Sequence, residues 1–271
     1  MSNLPTVWTN ALAGAIIGAG TSISNGAVIG AAVILSLFYV GGMWLNDAFD
    51  AEIDARERAS RPIPSGEISQ TAVFLVGAAL LVFAVLLGSY FGSTAAAAAL
   101  ALAAAILLYD WLHKRTALST LIMGATRFLC YVFGALVAGG FSAAVLIGAA
   151  GLFAYVVGLT YAAKQEAYDR IGRAWPLAVL AVPPIIGLVF AGTNPVALSL
   201  WAALVVLMSF AVRLLFKRKP GDVPRAVVTL IAGISLYDAV LIAGQGFAGV
   251  ALVAVGAFLL TLFFQRFVPG T

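Results

Sequence analysis

Asn46-Asp47-Ala48-Phe49-Asp50-Ala51-Glu52-Ile53-Asp54 is an acidic run in a chain that is 63% hydrophobic and only 10% charged. Six of the eleven carboxylates (Asp47, Asp50, Glu52, Asp54, Glu57 and Glu67) fall between residues 46 and 67. So apolar a sequence does not gather its acids without a partner for them. Asn46, Asp50 and Asp54 recur at i, i+4 and i+8. On a helix each step of four overshoots a full turn by about 40°, so the three side chains form one stripe about 12 Å long. Such a line of oxygen ligands suits a hard cation such as Mg2+, particularly one shared with a diphosphate.

Outward from this run the chain reads as membrane. A mean hydropathy of +1.07 over 271 residues is too apolar for a soluble domain. Apolar runs near the length needed to cross a bilayer recur between short polar breaks. They lie at 7–23, 27–45, 71–91, 94–112, 119–139, 143–162, 175–191, 196–216, 225–243 and 247–265. No linker or composition shift divides them, so residues 1–271 form one membrane domain, with 247–265 as an additional C-terminal span. The first run lacks a basic start and a small-residue cleavage site, so it reads as a mature helix. Pro183-Pro184 should kink or break the seventh span. The Gly14–Gly18 pair reads as ordinary close helix packing, and Cys130, the one cysteine, as a packing residue.

Basic residues set the orientation. The connections after spans 2, 4, 6 and 8 hold Arg56, Arg58, Arg61; Lys114, Arg115; Lys164, Arg170, Arg173; and Lys217, Arg218, Lys219. Those after spans 1, 3, 5, 7 and 9 hold no Lys or Arg. This asymmetry places the even connections, the N-terminus and the acidic segments in the cytoplasm, in an integral multi-pass protein expected in a bacterial cytoplasmic membrane. The net charge of +4 therefore reflects topology, and no nucleic-acid partner is expected. Glu166 and Asp169 end span 6 on the same side at i, i+3 spacing. Arg127 sits inside span 5, where an unpaired guanidinium is costly, and is expected to pair with Asp110 or Glu166. His113, the one histidine, has no second His or Cys with which to build a transition-metal site.

The run Asn46-Asp-x-x-Asp-x-x-x-Asp54, followed by Arg61-Pro62-Ile63-Pro64-Ser65-Gly66, resembles the signature of the UbiA superfamily of intramembrane prenyltransferases. Tyr109-Asp110-Trp111-Leu112-His113-Lys114-Arg115 is similar to that family's fourth-helix end, and Asn3–Asn10 to its first-helix opening. The resemblance implies an all-α bundle of nine to ten transmembrane helices around a central cavity. It implies Mg2+-dependent transfer of a prenyl group from a prenyl diphosphate to an aromatic or other lipophilic acceptor, in lipid or quinone biosynthesis. By match to the motifs, Asn46, Asp47, Asp50, Asp54, Glu166 and Asp169 would serve the metal. Arg61, Lys114, Lys164, Arg170 and Arg127 would face the diphosphate. Asp50, Asp54, Asp169 and Lys114 would be central to catalysis. Asn10, Asp110, Phe128, Tyr131, Tyr161 and Tyr168 would line the cavity for the acceptor or the allylic cation.

The chain departs from the pattern at the second acidic motif, where Glu166 and Asp169 stand alone and Lys164 intrudes, and at Asp110, where a small hydroxyl residue is more usual. A transporter also has many spans, but a carrier would be expected to place its ionisable groups near the midplane, whereas here they crowd one mouth. The weakened second motif leaves a catalytically silent relative as another alternative. A CDP-alcohol phosphotransferase lacks support, because its Asp-Gly acidic motif is absent.

Overall fold

The computed structural model describes residues 2–165, 173–217 and 219–267. Among them there are ten α-helices and no strand. These are α1 (Leu4–Ala19), α2 (Asn25–Glu57), α3 (Gln70–Ser89), α4 (Ser93–Leu112), α5 (Ser119–Val137), α6 (Ala143–Ala163), α7 (Val182–Ala191), α8 (Pro195–Lys217), α9 (Asp222–Gly244) and α10 (Ala248–Phe264). Seven of them, α2–α6, α8 and α9, are long and apolar enough to cross a membrane. The others are shorter: α1 has 16 residues, α7 ten and α10 17.

The helix ends follow local chemistry. Ser24 Oγ accepts the Ala27 N–H at 3.1 Å and Ser69 Oγ the Ala72 N–H at 3.2 Å, capping α2 and α3. Asn194 Oδ1 does the same for Val196 and Ala197 at the start of α8. Pro183 and Pro184 act as expected: the apolar segment begins as a 3-10 turn (Trp175–Ala181) and becomes α-helical only at Val182. Trp201 Nε1 then donates to the Pro184 carbonyl at 2.8 Å, fixing α7 on α8.

Two apolar cores share two helices. One unites α2, α3 and α4, the other α6 to α10, and α1 and α5 contribute to both. Helix α9 lies deepest, with 89% of its apolar window buried. The seam between α1 and α5 is made by glycines. Gly14 lies on the Tyr131 backbone, Gly134 on that of Ala11, and Gly18 on Ala135 and Gly140. The Gly14–Gly18 pair is thus internal packing, as its sequence context suggested.

The connections sort onto two rims. On one, Asp50 at the end of α2 meets His113 and Lys114 after α4, and Lys164 after α6 meets the α4–α5 turn. Gln265 after α10 donates to Asn3 before α1 at 3.0 Å, so both ends of the described chain share a rim. On the opposite rim, Gly18 abuts Gly140 and Asn194 Nδ2 donates to the Ala243 carbonyl. The arginine- and lysine-free connections belong to that second rim.

A Cβ added at Gly134 would sit 2.7 Å from the Ala11 carbonyl oxygen, which backbone cannot yield cheaply. Gly134→Val should therefore destabilise the fold by about 1–3 kcal/mol, read as a lower thermal midpoint of detergent-solubilised protein, whereas Gly26→Ala, with open space around it, should not.

Candidate functional site

Helix α2 does not stop where its apolar run does. It continues through Glu57, roughly twelve residues or about 18 Å beyond Leu45, so the whole acidic run is helical. Ala48, Ala51 and Glu52 are good helix formers, which keeps the segment wound after hydropathy falls. Gln70 Nε2, on the first turn of α3, donates to the Ala48 carbonyl at 2.8 Å and braces it. Asp50 and Asp54 are buried, at 6% and 3% exposure, on the stripe that the spacing predicts.

Carboxylates at the C-terminal end of a helix face the negative end of its dipole, so they need cations. Arg61, carried back by the Pro62-Ile63-Pro64 loop, donates from Nη1 to Asp54 Oδ2 at 2.6 Å and lies 3.5 Å from Asp47 Oδ1. Lys114 Nζ reaches Asp50 Oδ2 at 2.9 Å. His113 stacks on Tyr109, its Nε2 3.3 Å from the same Asp50 oxygen and its Nδ1 3.0 Å from the Asp110 carbonyl. Asn46 Nδ2 donates to Asp110 Oδ1 at 3.2 Å, bringing α4 onto the stripe. A cleft of about 440 Å³ opens beside these groups, with Asp47, Asp54 and Arg61 on its polar side and Trp44, Ile63 and Val73 on its apolar side.

Four carboxylates (Asp47, Asp50, Asp54, Asp110) thus share this rim with two permanent cations in contact with them, Arg61 and Lys114. Clustered hard oxygen donors of this kind fit Mg2+. One of the oxygens, Asp110 Oδ2, is buried with no hydrogen-bond partner among the described residues. Among the described residues no group of three or more His, Cys, Asp or Glu closes around one point. The rest of the ligand sphere would come from elsewhere. Glu166, Tyr168, Asp169 and Arg170 lie outside the described residues.

Other expected site residues are distributed differently. Among the described residues Lys164 has no carboxylate partner. Its Nζ donates to the His113 carbonyl at 2.9 Å, to the Thr116 carbonyl at 3.2 Å and to Ser119 Oγ, tying α6 to the α4–α5 turn. Tyr161 donates to the Arg173 carbonyl at 2.6 Å, and Phe128 packs against the core. Arg127 does not pair with Asp110. It donates from Nη1 to Asn10 Oδ1 at 2.8 Å, because α1 and not α4 faces that side of α5. Asn10 passes the interaction on, its Nδ2 donating to Asp238 Oδ2 at 2.8 Å. Tyr131 donates to the other Asp238 oxygen, and Thr9 Oγ1 to Ser235 Oγ at 3.2 Å. This network joins α1, α5 and α9 inside the bundle. Thr9 and Ser235 were invisible to a reading of motifs, and Asp238 is a local polar partner as its position suggested.

Residues 7–174 match the model of the UbiA prenyltransferase family. Among curated proteins, the chain is similar to digeranylgeranylglyceryl phosphate synthase of Methanothermobacter thermautotrophicus, 33% identical over 123 residues, covering 45% of this chain and 44% of the relative. The synthase of the same name from Methanopyrus kandleri is 33% identical over 130 residues, covering 46% and 47%. The chain spans about half the length of the curated relatives it matches. Both are archaeal, which gives no support to a bacterial source. Among solved structures, a UbiA homologue from Aeropyrum pernix K1 superposes with a TM-score of 0.72 at 18% identity, covering 89% of this chain and 96% of that one. A structure of digeranylgeranylglyceryl phosphate synthase in membranes gives 0.65 at 20% identity, covering 90% and 94%. These two likenesses establish the fold.

Burial holds the Lys164 ammonium below the ordinary lysine value of 10.5. The folded chain then binds this proton more weakly than the unfolded chain, so stability gained through Lys164 rises with pH between its lowered value and 10.5. Lys164→Met should flatten that alkaline rise in thermal melts. A variant with the wild-type pH profile would show that the ammonium is solvated instead.

Proposed function

Since the chain belongs to the UbiA prenyltransferase family, we propose that it transfers a prenyl group from a prenyl diphosphate to a lipophilic acceptor within the membrane, releasing diphosphate. The observation that carries this reading is the stripe of Asn46, Asp50 and Asp54, both carboxylates buried, with Arg61 and Lys114 beside it at the rim of an apolar bundle. By the charge asymmetry of the connections, that rim faces the cytoplasm.

In the reaction the allylic C–O bond breaks and its electron pair leaves with the diphosphate. The acceptor's nucleophilic atom bonds to the allylic carbon, and its proton passes to the departing diphosphate. Asn46, Asp50 and Asp54, with Glu166 and Asp169 from the segment after α6, would hold Mg2+, which would supply Lewis-acid neutralisation of the leaving group. Arg61 and Lys114 add charge-assisted hydrogen bonds to its oxygens, exchanging some of their contacts with Asp54 and Asp50 for the substrate. Trp44, at the apolar wall of the cleft, keeps water from the carbon that bears positive charge.

The donor's tail follows α2. Ala32, Ser36, Val40 and Trp44 recur every four residues. The first three line an apolar groove of about 520 Å³ with Trp8, Leu37 and Leu80, and Trp44 lines the acidic cleft. The two hollows thus share one helix face, headgroup end at the rim and tail end toward the bilayer interior. The acceptor to try first carries a glyceryl phosphate, because the names of the two curated relatives specify such a product.

In lipid nanodiscs with Mg2+ and labelled geranylgeranyl diphosphate, the protein should release diphosphate and form a prenylated lipid. Asp50→Ala should lower the rate by roughly 100-fold or more, and EDTA should stop it. Full turnover in either case would overturn the metal assignment. Ala32→Phe, which fills the groove, should lower kcat/KM for the long donor by roughly tenfold while sparing dimethylallyl diphosphate. Equal effects on both donors would place the tail elsewhere.

A further inference from the structure

The carboxylate of Asp110 is at odds with its surroundings. It is 5% exposed, near the end of an apolar helix. Its Oδ1 accepts from Asn46 Nδ2 at 3.2 Å, while its Oδ2 is buried with no hydrogen-bond partner among the described residues. His113 lies near it, as do Asp50 and Asp47, of like sign, but no cation contacts its oxygens among the described residues. Neither Arg61 nor Lys114 neutralises it, since their ion pairs go to Asp47, Asp54 and Asp50. A buried carboxylate oxygen with neither donor nor cation is strongly disfavoured, so such an arrangement persists only where something else meets that oxygen.

The partner's chemistry follows from the neighbours. Asn46 turns its amide nitrogen to Asp110, which leaves its carbonyl oxygen for another role. Lys114 and His113 both address Asp50 Oδ2, which leaves Oδ1 of that residue for a ligand. Three oxygens of three residues, two of them anionic, then remain where α2 meets α4. We infer that Asp110 is a ligand of the divalent cation, so that α4 contributes to the metal centre beside α2. This rests on the metal-dependent transfer proposed above, and it extends the centre beyond the two acidic motifs.

The test measures metal binding and not turnover. Mn2+ bound to the intact protein in nanodiscs is counted from the loss of its free-ion electron paramagnetic resonance signal. Wild type should bind, Asp50→Ala should lose the site, and Asp110→Asn, which keeps size and the bond to Asn46, should weaken it by roughly 10- to 100-fold. Glu52→Gln, exposed on α2 and off the stripe, should bind as wild type does. Wild-type affinity in Asp110→Asn together with loss in Asp50→Ala would overturn the inference and leave the metal reading standing. No binding by wild type would overturn both. Should Asp110→Asn fail to fold, Asp110→Cys decides: a thiolate among the ligands should gain Cd2+ affinity at the expense of Mn2+, and no gain would overturn the assignment.

Discussion

Negative charge at the wrong end of a helix is the constraint on which this molecule turns. Asp47, Asp50 and Asp54 sit on the last turns of α2, where the helix dipole disfavours anions, and two of them are buried. Such an end cannot stand without countercharge, and the surrounding elements supply it from separate directions. The proline-rich loop returns Arg61, and α4 delivers His113 and Lys114. The α4–α5 turn that follows them is fastened by Lys164 from α6. Countercharge and helix packing are therefore one problem here, since each cation also fixes the element that carries it.

Family membership and individual character are both visible at this rim. The spacing of Asn46, Asp50 and Asp54 and the following Arg61-Pro62-Ile63-Pro64 place the chain among its relatives, and the fold agrees over about nine-tenths of its length. Asp110 and Lys164 give the rim its own character. Asp110 brings a carboxylate from α4 to the Asn46 amide, and the Lys164 ammonium is engaged by three oxygens at the α4–α5 turn.

Much of this was legible in the residues themselves. Hydropathy located the helices, prolines located the break before Val182, and the i, i+4, i+8 register held because α2 stays helical through the acids. What escaped was the pairing of polar groups. Arg127 meets Asn10 and not Asp110, which depends on which helix faces which. Nothing local in the sequence tells that Asn10 and Asp238, 228 positions apart, meet side by side. Tertiary pairing of polar groups inside a bundle leaves no periodic trace, unlike an amphipathic stripe.

That long separation has a consequence for how the chain is made. Thr9 and Asn10 enter the membrane with the first helix, yet their partners Ser235 and Asp238 are synthesised only near the end. At about 5–20 residues per second, the ribosome needs on the order of 10–45 seconds to deliver them. Throughout that interval α1 carries an amide and a hydroxyl among hydrocarbon or insertion machinery, and Arg127 arrives midway while Asp238, to which Asn10 will link it, is still unmade. The nascent protein must therefore wait, half-assembled, for its ninth helix to close the interior.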